Sequence, residues 1–250
     1  MAPRNSIPVS TPETNSSSIS TSTQSESIAL SICEKIKDNT KRDVCNSIVN
    51  GNIETCEALP VWQKLDCYVS LGRRINNNSI CDRLNTEGLR YECLARLAQD
   101  YEACKKATLI NYCYYDVAII KRDSIGCKNI TDGSIRNKCY ALLERNPGYC
   151  QKISEAVAKD DCYIQVAMLA NDFSICQNVE NDRWKDMCVA MVKGDIENLD
   201  CKNDGGYCEH LAAFSKDASV CEKLENGDDC YYRVGTGLLG IYPLESPRGW

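Results

Sequence analysis

The chain has 250 residues, 18 cysteines, a single histidine and a formal net charge of −6. This acidic balance excludes a general nucleic-acid binder, which needs surplus Lys and Arg to neutralise phosphates. No apolar run approaches the ~20 residues that span a bilayer, so the chain does not read as an integral membrane protein. Its start also lacks the charged-then-apolar pattern of a secretory signal.

Residues 1–27 are dominated by Ser and Thr (PVSTPETNSSSISTSTQSES). Such a segment cannot build a core and reads as a disordered, glycosylated tether, or as an untethered end. Residues 28–234 form a cysteine-rich repeat domain. Its cysteines lie at positions 33, 45, 56, 67, 81, 93, 104, 113, 127, 139, 150, 162, 176, 188, 201, 208, 221 and 230. Within successive pairs the separations are 12, 11, 12, 9, 12, 12, 12, 7 and 9. The pair starts advance by 23, 25, 23, 23, 23, 26, 25 and 20, a period that marks a solenoid-type array of nine units. No two cysteines are close enough for a CxxC redox or zinc-knuckle motif, or for the local thiolate run of an iron–sulfur cluster. One histidine, His210, cannot supply repeated Cys/His zinc sites.

Each unit carries more than cysteine. Four positions before the first Cys stands Asn or Asp in seven units: Asn52, Asn77, Asp100, Asp123, Asn146, Asp172 and Asp217. These side chains suit a helix N-cap. Three positions after the first Cys stands an apolar residue in eight units: Ile36, Leu59, Leu84, Ala107, Ile130, Ile153, Val179 and Leu224. On a helix that spacing puts it on the face of the sulfur. Three before the second Cys stands a base in six units (Arg42, Lys64, Arg90, Arg136, Lys159, Lys185), and Tyr follows the second Cys in five (Tyr68, Tyr114, Tyr140, Tyr163, Tyr231). The series Cys113, Val117, Ile120 and Cys162, Val166, Leu169 continue a helical apolar stripe.

The unit therefore reads as a short capped helix of about two turns, a loop, and a helix of about three to four turns. The fold class is all-α: an α/α solenoid of nine disulfide-stapled helical hairpins of about 23–25 residues. Gaps between units alternate near 11 and 14 as far as Cys176, which suggests a two-unit super-repeat. The last two units, with short separations and Asp204 at the apolar position of the eighth, read as an irregular terminal cap. Residues 235–250 form a C-terminal tail with an apolar stretch, Leu238–Tyr242, and Trp250 at its end. It packs on the last unit, docks on a neighbouring molecule, or is disordered.

An antiparallel hairpin can bring two inward sulfurs within disulfide reach. The favoured pairing is therefore within units: Cys33–Cys45, Cys56–Cys67, Cys81–Cys93, Cys104–Cys113, Cys127–Cys139, Cys150–Cys162, Cys176–Cys188, Cys201–Cys208 and Cys221–Cys230. A rival scheme joins the second Cys of one unit to the first of the next and strands Cys33 and Cys230. Disulfides at this density belong outside a reducing cytosol. The 20 Asn residues argue against the hyperthermophile exception. Sequons at Asn15, Asn77 and Asn129 fit an exported glycoprotein.

Chemistry-bearing motifs are scarce. There is no phosphate loop, nucleophile elbow or HExxH. Asp160-Asp161 and Asp228-Asp229 are carboxylate pairs at helix starts without EF-hand spacing. The recurrent bases read as solvated or locally paired, and the Tyr ladder as packing between units.

At the level of [DN]-x3-C-x2-[ILV]…[KR]-x2-C-Y, over about Ser31 to Arg233, the chain resembles cysteine-rich α-helical tandem-repeat proteins of archaea whose role is unassigned. In architecture alone it is similar to disulfide-stapled Sel1-like repeats, though their Ala/Gly pattern is missing. The resemblance implies an exported protein and transfers no catalytic residue. The expected function is a secreted or surface-tethered, non-catalytic binding scaffold. Its partner would be a protein or glycan at the cell surface, met on the loop between paired cysteines or on the exposed helix face. The alternative is a structural subunit of an extracellular filament or sheath, assembled end to end. Neither reading calls for a catalytic residue, a metal site, a cofactor, nucleic acid or a transmembrane segment.

Overall fold

The computed structural model describes residues 18–195, 199–202 and 205–237. Among these there are helices and turns and no strand. The array is all-α, and each long helix carries the second cysteine of its unit. After an N-terminal helix, α1 (Ser18–Cys33), come α2 (Asn39–Asn50), α4 (Val61–Ile75), α5 (Glu87–Ala98), α7 (Ile110–Lys121), α8 (Gly133–Glu144), α9 (Ala156–Ala170), α10 (Asp182–Lys193), α11 (Gly205–Ser215) and α12 (Asp228–Gly237). Two single-turn helices, α3 (Glu54–Glu57) and α6 (Tyr101–Cys104), and 3-10 turns at Asn78–Arg83, Ser124–Asn129, Cys150–Lys152, Phe173–Asn178 and Val220–Lys223 carry seven of the nine first cysteines; Cys33 ends α1 and Cys201 lies in a turn.

These first elements are shorter than the two helical turns read from the sequence. The reason lies at their ends. The residue three after the first Cys closes the turn by donating its amide to the cysteine carbonyl in all eight units where it is described, from Ile36 N→Cys33 O to Leu224 N→Cys221 O. Beyond it the chain is extended, at Leu84, Ile130, Ile153 and Val179 for example. There the apolar side chain drops into the core, where Ile36, Ile130 and Val179 are almost fully covered. Arg42, Arg90 and Arg136 then reach back six residues to the carbonyls of Ile36, Leu84 and Ile130. The recurrent base thus ties the loop to the helix in three units, and Lys64 and Lys159 pair locally with Glu57 and Glu180.

The joint between units is equally regular. Each long helix from α2 to α11 ends on a left-handed residue: Gly51, Asn76, Gln99, Arg122, Arg145, Asn171, Gly194 or Lys216. The next residue donates its amide five residues back, in a Schellman closure, as in Asn77 N→Gly72 O, Asp100 N→Ala95 O, Asp172 N→Ala167 O and Asp217 N→Ala212 O. Its side chain then accepts from the amide two residues ahead, starting the next turn, at Asn52, Asn77, Asp100, Asp123, Asn146, Asp172 and Asp217. One Asx residue therefore ends one helix and begins the next element. The carbonyl acceptor is always a small residue (Ser47, Gly72, Ala95, Ala118, Ala141, Ala167, Ala190, Ala212). Gly72 shows why: a Cβ there would lie 2.6 Å from Leu97 Cδ1. The alternating gap has a simple source as well. α4, α7 and α9 run eight residues past their second cysteine, against five for α2, α5 and α8, and three added residues are nearly one turn. The joint is thus displaced while the helix faces stay in register.

The nine disulfides join the cysteines of each pair within a unit, and there are no free cysteines. Their Cα atoms stand 5.5–5.7 Å apart, and every sulfur-bearing residue is buried.

Two expectations change. The tether boundary falls earlier, because α1 begins at Ser18 and so covers residues 18–27; residues 1–17 and the tail from 238 onward lie outside the described residues. The array is also not an open rod with a terminal cap. α12 packs against both α1 and α2, so the last unit meets the first. The Asp228 carboxylate accepts from the amides of Lys37 (2.8 Å) and Asp38 (2.9 Å). Asp160 does the same with Glu180 (2.8 Å) and Asn181 (3.0 Å) of the following unit. Both aspartates stand two before their second Cys, and both amide pairs stand four and five after a first Cys. Unit 1 thus follows unit 9 as unit 7 follows unit 6, and the solenoid closes on itself. Lys35–Glu222 and Lys41–Asp229 ion pairs flank the seam. Gly235 permits the approach, since a Cβ there would lie 3.3 Å from both sulfurs of Cys33–Cys45.

Asp228→Ala would leave two part-buried amides without their carboxylate acceptor and cost about 1–3 kcal/mol. Asp43→Ala, at the same repeat position but exposed, should stay within about 0.5 kcal/mol. Denaturant unfolding of the two variants measures the difference; equal costs would contradict the closure.

Candidate binding cleft

The connecting segments between paired cysteines gather at the N-terminal ends of the long helices. A cleft of about 600 Å³ opens there across four consecutive units. Tyr112 and Tyr115 of α7, Ser134, Ile135 and Lys138 of α8, Val157, Ala158 and Asp161 of α9, and Trp184 of α10 line it, with Asp132, Ile153 and Glu155 from the connecting turns. Every lining residue except Tyr115 lies between the two cysteines of its unit. Another concavity, about 140 Å³, lies at the seam between Thr40, Lys41, Val44, Leu59, Gln63, Asp66, Asp229 and Tyr232. Seven of these eight also come from between paired cysteines.

Local structure fixes the lining. Asp132 caps α8 by accepting from Ile135 N at 2.8 Å, and Asn181 caps α10 through Trp184 N at 3.1 Å. Each cap sets its helix start, and with it the position of Ile135 or Trp184. Lys138 Nζ pairs with Asp161 Oδ2 at 2.7 Å, and both Asp161 oxygens accept from Gln165 Nε2. This largely covered pair joins α8 to α9. Charge pairing continues on the helices flanking the cleft. Arg96 of α5 lies 2.9 Å from Asp66 and 3.6 Å from Asp116 of α7. Burial of the Asp116 carboxyl outweighs the nearby guanidinium and pushes its pKa up to about 6.

His210 on α11 is mostly buried, and burial, reinforced by the Arg233 guanidinium, lowers its pKa to about 4. The imidazole is neutral at physiological pH and takes no part in the cleft lining. Its neighbour Glu209 pairs with Arg233 at 3.6 Å and is raised by burial.

The sequence-derived candidates fall as follows. The cysteines are buried staples, remote from solvent. Of the sequon asparagines, Asn77 and Asn129 are exposed, and Asn15 lies outside the described residues. Asn77 Oδ1 accepts from Ser79 N and Ser79 Oγ, which leaves its amide nitrogen outside this turn. In each carboxylate pair the first member, Asp160 or Asp228, bridges units, while Asp161 and Asp229 pair with Lys138 and Lys41. Among the described residues no cluster of His, Cys, Asp or Glu is placed to hold a metal, and no helix is long and apolar enough to cross a membrane. Tyr114 and Tyr140 pack on Tyr101 and Tyr149.

Sequence reasoning passed over the cleft residues Tyr112 and Lys138, and read Asp161 only as one of a carboxylate pair at a helix start; all three line the cleft. All three stand immediately before the second cysteine of their unit, as do Asp66 and Glu92. That position is repeatedly polar inside an otherwise apolar stretch, and this was the available signal. Compared with protein-family models, curated proteins and solved structures, the chain matches none.

The depressed His210 pKa has a fixed sign. The unfolded chain binds the extra proton between pH 6.5 and about 4, so the contribution of His210 is complete above pH 6.5 and fades as pH falls toward 4. Asp116 acts oppositely, because its raised pKa favours the folded state at low pH and loses that effect as pH rises through about 6. Relative to His210→Gln, the wild type should lose stability steadily between these limits in denaturant titrations. Parallel profiles would contradict the buried, neutral imidazole.

Proposed function

We propose that the protein is a secreted or surface-tethered, non-catalytic binding scaffold that holds a protein or glycan partner in the cleft between α7 and α10. The observation that carries this reading is the origin of the lining: eleven of its twelve residues come from between paired cysteines. The staples hold the framework, so these segments can vary in sequence without loss of fold, a division suited to recognition. The cleft volume lies within the ~300–1,000 Å³ range of ligand sites. Nine disulfides are compatible with an oxidising, extracellular location. The exposed Asn77 and Asn129 are the proposed glycan acceptors, and both lie outside the cleft lining. The ionic groups nearest the cleft floor engage each other, which favours binding over proton transfer.

The filament alternative draws less support. End-to-end stacking needs two free ends, and here α12 covers α1 and α2.

Ala158→Trp would fill the cleft without touching a disulfide or a cap. Labelled wild-type protein should adhere to isolated surface material of the source cells, and this variant should lose about tenfold in retention. Equal retention of a folded variant would refute the cleft as the binding site.

A further inference from the structure

Given that the cleft is the binding site, we propose that its occupant is a basic peptide segment, a lysine or arginine flanked by an apolar residue. Charge decides the sign. Four charged side chains line the cleft: Asp132, Glu155, Asp161 and Lys138. Lys138 is engaged by Asp161 at 2.7 Å. Asp132 and Glu155 remain at the mouth, both exposed, so the lining carries a net charge of −2 (three acids against one base). The chain as a whole is also acidic, at −6, and steers cations toward it.

The walls suit the same ligand. Tyr112 and Trp184, both part-exposed, bring two aromatic rings to one cleft, and the negative face of such a ring attracts an ammonium or guanidinium group. The protein pairs the same groups on its own surface: Lys106 lies 4.6 Å from the Tyr91 ring centre, Lys121 4.6 Å from Tyr101 and Lys152 4.7 Å from Tyr149. The part-exposed Ile135 and the 58% exposed Val157 offer apolar surface to a flanking side chain. An acidic peptide or a phosphate would meet the two mouth carboxylates, which also oppose the positive ends of α8 and α9. A neutral sugar could stack on the rings but would gain nothing from the excess negative charge.

The test uses the full-length oxidised protein and three probes: the capped tetrapeptide Ile-Lys-Val-Arg, the capped tetrapeptide Ile-Glu-Val-Glu, and maltotriose. Calorimetry gives affinity, and Trp fluorescence compared with Trp184→Phe locates binding. The basic peptide should bind, shift the Trp184 signal and weaken with added salt. Asp132→Asn combined with Glu155→Gln should reduce its affinity about tenfold; Asn caps a helix as well as Asp does, so the fold is kept. Unchanged affinity in that double variant, or equal binding of the acidic peptide, would overturn the proposal. Maltotriose shifting Trp184 while the basic peptide does not would overturn the basic class and keep the cleft as a binding site. Silence from all three probes would remove both.

Discussion

A covalent bond across each hairpin, with Cα atoms 5.5–5.7 Å apart, is the constraint on which everything else in this molecule depends. After the first unit, whose Cys33 ends α1, the element that carries the first cysteine is a short turn of no more than six residues. A turn that short has no stability of its own, because helix nucleation fixes several dihedrals for one hydrogen bond. Each bridge closes a short loop and contributes about 2–3 kcal/mol in the chain-entropy view. With its turns stapled, the chain needs only one apolar residue after the first Cys and a small-residue stripe on the long helix to bury a core. Few large side chains are required, and the chain has only two Phe and three Trp.

The second constraint is the joint. A left-handed residue followed by Asn or Asp satisfies the end of one helix and the start of the next element within two residues, so consecutive units keep nearly the same relation. A constant rotation per unit, repeated nine times, returns the chain to its start. Asp228 then finds Lys37 and Asp38 where Asp160 finds Glu180 and Asn181. Closure covers the apolar ends that an open array must cap. Stacking also brings the N-terminal ends of α7, α8, α9 and α10, with the segments between their cysteines, to one rim. The cleft lies on that rim, and its chemistry comes from the segments that the repeat leaves unspecified.

Much of this was legible in the residues. Cysteine spacing carried the unit, the pairing and the all-α class, and the Asx positions announced the caps. What stayed hidden was non-local. Nothing in the local pattern of Asp228 distinguishes a seam from another joint, because its partners, Lys37 and Asp38, lie 191 and 190 residues away. The short first turns were over-read as helices because Asx capping and an i, i+3 apolar pair suit a 3-10 turn as well as an α-helix. The helical content of residues 18–27 was obscured by their Ser/Thr composition, which has poor intrinsic propensity; downstream, Ala29 and Ile32 of the same helix are buried beside α12. The cleft was missed because Tyr112, Lys138 and Trp184 come from three different units and share a site only once the units are stacked.

The most direct measurement is non-reducing proteolysis with mass-spectrometric mapping of the linked peptides. The account predicts nine crosslinks, each joining the two cysteines of one unit, from Cys33–Cys45 to Cys221–Cys230, and no alkylated thiol. Crosslinks between consecutive units, such as Cys45 to Cys56, or a majority of free thiols, would contradict it.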